Sequence, residues 1–185
     1  TGLGTALCGP LLGAAADRFG QRRTLLWVGT ANSLLLVMMA WLAFAAVPDA
    51  ALFVAAFAIG ATMPQVGPMS RSRLVQLVLR VYPAARQAPT VTKVMSYESA
   101  ADEIVFVFGP VVVGLLATTL NPAAPVIGAA VIALVFVTSF ALHPTGRTAV
   151  ADTSSGVVTR APMRELFRVR VLAPTAGALG MGLVF

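Results

Sequence analysis

Thr24-Leu25-Leu26-Trp27-Val28-Gly29-Thr30-Ala31-Asn32-Ser33-Leu34-Leu35-Leu36-Val37-Met38-Met39-Ala40-Trp41-Leu42-Ala43-Phe44-Ala45-Ala46-Val47 is a run of 24 residues without one charged side chain, and Asp17-Arg18-Phe19-Gly20-Gln21-Arg22-Arg23 stands directly before it. As a helix the run measures about 36 Å, longer than the roughly 30 Å hydrocarbon core of a bilayer. Its ten Leu, Val and Phe residues contribute roughly −3 to −6 kcal/mol to membrane insertion. A segment this apolar, bounded by a basic turn, reads as a membrane-spanning helix, and the neighbouring sequence repeats the pattern.

Ala51 to Ser70 follows after only Pro48-Asp49-Ala50, so the two runs predict an antiparallel hairpin with a tight outer turn. Gly60, Pro64, Gly67 and Pro68 interrupt the second member. Kinks there are tolerable where neighbouring helices satisfy the freed carbonyls, which implies packing inside a bundle. Ile104 to Leu120 is uncharged but only 17 residues long. Its helix is therefore expected to begin earlier, within Glu98-Ser99-Ala100-Ala101-Asp102-Glu103. After Asn121 and Pro122, Ala123 to Leu142 supplies another 20 uncharged residues, with Pro125 in the first turn, where its missing N–H does no harm. The first 16 residues are apolar already, and Val171 to Phe185 is a further apolar run of 15. The expectation is an internal piece of a larger protein: one truncated span, four whole spans and the start of a sixth.

Composition agrees. Hydrophobic residues make up 58% of the 185 and charged residues 11%, against roughly 45–50% and 25% in soluble domains. A mean hydropathy of +0.87 excludes intrinsic disorder as well as an ordinary water-soluble core. The net charge of +6 would point to nucleic acid if the basic groups covered a surface beside stacking aromatics, but no such platform accompanies them, so no nucleic-acid partner is expected. Of the 13 basic residues, three lie in Asp17 to Arg23, five in Arg71 to Glu103 and five in His143 to Arg170, with none in the two intervening connections. That alternation is what the positive-inside rule produces, and it predicts that the three basic connections share the cytoplasmic side. Lys93 is the single lysine among mostly arginine, with abundant Ala and Gly, a composition suggestive of a G+C-rich bacterial genome and hence of a multi-pass inner-membrane protein. Cys8 stands alone and supports neither a disulfide nor a cysteine metal site.

The first basic connection reads Gly13-Ala14-Ala15-Ala16-Asp17-Arg18-Phe19-Gly20-Gln21-Arg22-Arg23-Thr24-Leu25. Gly13 would permit close helix approach and Gly20 a tight reversal, while Asp17 and Arg18 would sit where the helix leaves lipid. The spacing resembles the signature of the loop between the second and third helices of the major facilitator superfamily, G-x-L-a-D-r-x-G-r-k-x-x-l. Gly13, Ala16, Asp17, Arg18, Gly20, Arg22 and Leu25 match; Ala15 replaces the usual Leu, Gln21 replaces the first trailing basic residue, and Arg23 restores the basic count. The resemblance implies an all-α polytopic membrane bundle comprising part of the superfamily's N-terminal half. Residues 1–144 would hold the end of helix 2 and helices 3 to 6, residues 145–170 the central cytoplasmic loop, and residues 171–185 the start of helix 7. It also implies a secondary transporter of about twelve helices working by alternating access, with the bilayer and a small-molecule solute as partners and no cofactor.

A second echo lies at Phe108-Gly109-Pro110-Val111-Val112-Val113-Gly114, which is similar to the antiporter signature G-P-x-x-G-G of drug–proton exchangers in that superfamily. Gly109, Pro110 and Gly114 match, and Val113 stands at the first terminal Gly. This resemblance favours efflux coupled to protons. The basic residue usual in the superfamily's fourth helix is absent from Ala51 to Ile59.

Carboxylates near the bilayer are expensive, roughly 2.5–3.5 kcal/mol each at its centre. Asp102 and Glu103 are therefore expected near the cytoplasmic boundary, with Glu98 one helical turn before Asp102 on the same face. The sequence predicts a cytoplasmic charge cluster of Glu98, Asp102 and Glu103 with Arg71 and Arg73, joined by Asp17 and Arg18, that holds one conformation. Arg22 and Arg23 complete the gate motif of the first turn. Asn32, Thr62 and Gln65 are the candidate cavity-lining groups; in an otherwise apolar setting they suit a hydrophobic, drug-like organic solute. A membrane enzyme is disfavoured, because His143 is the only histidine and no nucleophile–base or metal-ligand spacing appears. The alternative is a non-transporting relative acting as receptor or assembly protein.

Overall fold

The computed structural model describes residues 1–45 and 47–145, which contain helices α1 (Gly2–Phe19), α2 (Gln21–Leu42), α3 (Asp49–Ala61), α4 (Val66–Val81), α5 (Ala84–Thr119) and α6 (Ala124–Leu142), and no strand. The expected seventh-helix segment 171–185 lies outside the described residues, as does the central loop beyond Thr145. Among the described residues, four helical stretches are long and apolar enough to cross a bilayer: 21–42, 49–81, 84–119 and 124–142.

Glycine and proline set most of the boundaries. Gly20 has φ +91° and is at once the C-cap of α1 and the N-cap of α2, so one residue makes the whole reversal. His143 ends α6 in extended backbone before Pro144, and Tyr82 ends α4 the same way before Pro83, as the steric clash with the following ring requires. Pro125 lies in the first turn of α6, where the Asn121 side chain accepts hydrogen bonds from the Ala123 and Ala124 amides at 3.0 and 2.9 Å.

Three expected boundaries are corrected. The second run is two helices rather than one kinked span, because the chain leaves helical geometry over Thr62 to Gln65 around Pro64. The outer connection is longer than Pro48-Asp49-Ala50: α2 stops at Leu42, and Asp49 already lies in the first turn of α3, where a carboxylate complements the helix dipole. The largest change concerns Arg71 to Glu103, expected to be mainly a connection. Helix α4 runs through Arg71, Arg73 and Arg80 to Val81, α5 starts at Ala84, and only Tyr82 and Pro83 separate them. With 36 residues, α5 is about 54 Å long and outreaches a hydrocarbon core by roughly 24 Å.

Packing is uneven. Ala16, Leu25, Met69, Val137 and Ala141 form the core cluster where the end of α1, the starts of α2 and α4 and the end of α6 converge. Among the described residues, Leu25 is the one large side chain with almost no exposure, at 1%. Helix α2 lies along α6, with Gly29 so close that an added Cβ would stand 2.7 Å from Val137 Cγ1. Helices α1 and α3 cross backbone to backbone: a Cβ on Gly4 would strike Phe57 O and stand 2.6 Å from Ala61 N. Gly13, expected to serve such an approach, has nothing within 4 Å of that position among the described residues. Helix α5 buries no residue at all and leaves Phe106 82% exposed.

Candidate functional site

The charges of the sequence are sorted at the Gly20 end of the bundle. Within the Gly13–Leu25 stretch, Ala16 and Leu25 are locked in the core, whereas Asp17, Arg18, Arg22 and Arg23 are exposed. Among the described residues no ion pair links Asp17 or Arg18 to the arginines of α4 or the carboxylates of α5. Arg18 instead lies over the Phe19 ring at 5.6 Å. The apolar members of the stretch fix the turn and the charged members stand free on it.

Arg71 on α4 forks onto α5. Its Nε donates to Glu98 at 3.0 Å and its Nη2 to Asp102 at 2.7 Å, and Ser70 Oγ donates to the other Glu98 oxygen at 2.8 Å. Carboxylates one turn apart on one face meet one guanidinium, which is the geometry that i,i+4 spacing prepares. Glu98 is sheltered, with 17% of its side chain exposed, while Asp102 is 70% and Arg71 50% exposed. Solvent screening at that exposure leaves the Asp102 pair worth a few tenths to about 1 kcal/mol. Glu103, expected in the cluster, is exposed and joins none of these bonds.

Arg73, also expected there, faces the opposite way. It is 6% exposed, its Nε donates to Gln21 Oε1 at 3.0 Å, its Nη1 donates to the Phe140 carbonyl at 2.9 Å, and its guanidinium lies 3.9 Å above the Phe140 ring. It thereby ties α4 to the start of α2 and the end of α6. Among the described residues its Nη2, which has essentially no accessible surface, finds no hydrogen-bond partner. A buried donor without a partner costs about 1–3 kcal/mol. Arg73 also helps to line a cavity of about 440 Å³ between α4 and α6. Gln21 now has a physical explanation: a basic side chain at that position would confront Arg73, whereas an amide oxygen accepts from it.

Of the candidate cavity residues, Asn32 and Thr62 meet each other between α2 and the end of α3. Asn32, buried in α2, donates to Ile59 O at 2.8 Å and to Thr62 Oγ1 at 3.2 Å, and Thr62 donates back to Ala58 O at 2.8 Å. These bonds stitch α2 to the end of α3. Gln65 donates to Met63 O at 3.3 Å and lies beside Gly9 of α1. On α5, Pro110 sits inside the helix, and side chains added at Gly109 or Gly114 would meet nothing within 4 Å among the described residues. Gln21, Ser70 and Phe140 take part in the charged network although the sequence reading passed them over; only Gln21 carried a signal, as the neutral residue inside a basic turn.

Against this geometry, a family model described as Major Facilitator Superfamily matches residues 1–185. The chain belongs to the major facilitator superfamily. No curated protein and no solved structure matches it. Membership agrees with the all-helical bundle and its four apolar helical stretches, and it makes the chain part of a multi-pass membrane protein of a transporter family, whose surroundings are lipid and whose cargo is a small solute. The turn at Gly20, the Arg71 fork and the buried Arg73 are the charged features that the first turn and α4 bring into the structure.

Proposed function

We propose that this superfamily member is a secondary active transporter that exports a small, rather apolar organic solute across a bacterial inner membrane by proton-coupled alternating access. The observation that carries the reading is the forked bond from Arg71 to Glu98 and Asp102. It joins α4 to a helix that buries no residue, so a partly exposed charge pair holds a seam that apolar packing does not. Such a pair can break and re-form at little net cost as two helices slide, which is the behaviour a conformational latch needs. The basic turns face the cytoplasm in this reading, with Gly13, Asp17, Arg18, Gly20, Arg22 and Arg23 as the rigid rim beside the latch. Export and proton coupling are supported by Gly109, Pro110 and Gly114 of the antiporter-like stretch, and an apolar solute by the scarcity of polar groups on the spans. Asn32 and Thr62 act in this account chiefly as a link between α2 and α3, and Gln65 stands in the break before α4.

The test is flux. The protein is reconstituted in liposomes carrying an imposed pH gradient, and efflux of a panel of lipophilic cations and neutral drug-like solutes is followed. Saturable, gradient-dependent movement of at least one solute is the expected result. Gradient-independent leakage equal to that of empty vesicles, for every solute and in both directions, would sink the proposal.

A further inference from the structure

Helix α4 does not inherit its orientation from its neighbours. The chain leaves helical geometry over Thr62 to Gln65, so the rotational register of α3 is not carried into α4. Helix α5 buries no residue and offers no packed surface to set one. Against α6 the fit is loose, because a cavity of about 440 Å³ lies between the two helices along Arg73, Leu74 and Leu77. The buried residues of α4 are Met69, Arg73 and Val78. Apolar burial of Met69 and Val78 is non-directional and tolerates rotation of the helix. Arg73 is different. Its Nε is bonded to Gln21 of α2, its Nη1 to the Phe140 carbonyl of α6, and its guanidinium lies over the Phe140 ring. A planar donor fork held by two elements at once fixes the direction from which the helix presents it. Residues of an α-helix turn by about 100° each, so Arg71 points about 200° away from Arg73. Fastening Arg73 to α2 and α6 therefore aims Arg71 at α5, where Glu98 and Asp102 accept from it and Ser70 donates to Glu98 alongside.

We infer that Arg73 is the positioning residue of the Arg71 fork. Its bonds to Gln21 and to the Phe140 carbonyl set the rotation of α4 about its own axis, and that rotation decides whether Arg71 and Ser70 meet Glu98 and Asp102. Gln21 thus acts on the fork without touching it. The bearing of this arrangement on transport rests on the proposed latch, whereas the arrangement itself does not.

The experiment reads where α4 faces, independently of flux. In the purified full chain carrying Cys8→Ser, Ser70→Cys and Glu98→Cys are introduced together, and the rate at which a short bis-methanethiosulfonate linker bridges them is followed in detergent. Thr5→Cys with Met63→Cys, whose native side chains meet at 3.8 Å, is the control pair away from α4. Three further changes are compared with the otherwise native background. Gln21→Ala removes one acceptor, Arg73→Met removes the guanidinium but keeps an unbranched apolar side chain, and Gln21→Glu keeps an acceptor oxygen. One hydrogen bond of ordinary net strength corresponds to about threefold to tenfold in population, so bridging of the Ser70–Glu98 pair is expected to slow about threefold in Gln21→Ala and about tenfold in Arg73→Met. Gln21→Glu is expected to bridge at the native rate, and the control pair to be unchanged throughout. Should Arg73→Met fail to fold, the comparison of Gln21→Ala with Gln21→Glu carries the test alone. The inference is overturned if either Gln21→Ala or a folded Arg73→Met bridges as fast as the native background, if Gln21→Glu slows as much as Gln21→Ala, or if the control pair slows in step, which would report general loosening rather than rotation. Neutralised forks that leave flux unaltered would instead overturn the latch and leave these bridging rates as they are.

Discussion

The seam between α1 and α3 and the seam between α4 and α5 are built from opposite materials. At the first, Gly4 and Gly60 let backbones touch, and no charge takes part. At the second, the buried contribution from α5 is nil and an arginine reaches across to two carboxylates. In lipid there is little hydrophobic force between helices, so close van der Waals packing of small residues is what makes a seam firm. Exposed charge pairs contribute little to strength but are directional and reversible. The contrast separates close-packed seams, α1–α3 and α2–α6, from a seam, α4–α5, that partly exposed charges join.

Enlarging a glycine at a close-packed seam should therefore have the largest effect. Gly4→Val drives a side chain into the backbone of Phe57 and Ala61, which cannot move aside as a flexible side chain would. The expected loss is about 3 kcal/mol, measured as the unfolding midpoint in detergent. Gly29→Ala meets the Val137 side chain, at Cγ1 and Cβ, and no backbone, so about 1 kcal/mol is expected there. If Gly4→Val is tolerated as well as Gly29→Ala, the distinction between backbone and side-chain contact has no energetic content.

Arg73 and Gln21 give the next effect in size. Gln21→Lys places a second cation against a guanidinium that is 6% exposed; like charges in a poorly solvated site repel, and losing the acceptor leaves Nε unpaired. A loss of about 1–3 kcal/mol is expected, against roughly half that for Gln21→Ala, which removes the acceptor alone. Equal effects of the two changes would show that Arg73 does not feel charge at that position. Asn32→Leu, which removes the bonds to Ile59 and Thr62, is expected to cost about 0.6–1.7 kcal/mol while leaving solute selectivity unaltered.

Much of this was legible in the chain of residues. The uncharged runs locate the four apolar stretches, Gly20 announces the one-residue turn, and the Glu98–Asp102 spacing anticipates two carboxylates reaching one arginine. The extension of α4 and α5 past the apolar runs was harder, because hydropathy falls where the helix continues. A signal was present: Leu74, Leu77, Val78 and Val81 repeat at helical spacing, and Tyr82-Pro83 is a stop followed by a start. The parting of Arg71 from Arg73 had no local signal. Residues two apart on a helix point about 200° from each other, but which one meets carboxylates and which is buried depends on where α2, α5 and α6 converge. Gly13 is a related case: a glycine permits a close approach without specifying the second helix, and among the described residues nothing lies within 4 Å of an added Cβ there.

The smallest effect on stability belongs to the α4–α5 seam, and there rate and stability should diverge. Asp102→Asn removes one arm of the Arg71 fork at a site where the carboxylate is 70% exposed, so unfolding should shift by no more than about 0.5 kcal/mol. Glu98→Gln should cost somewhat more, because Glu98 is 17% exposed and also accepts from Ser70. If the fork is a latch, each neutralisation lowers the free-energy difference between joined and parted seams, and transport rate changes severalfold in the proteoliposome assay while protein level holds. A rate that stays within the error of the native protein for both variants, with stability equally unmoved, would reduce the fork to an ornament of the helix surface and leave the packing of α1 on α3 and α2 on α6 to account for the whole of the bundle's behaviour.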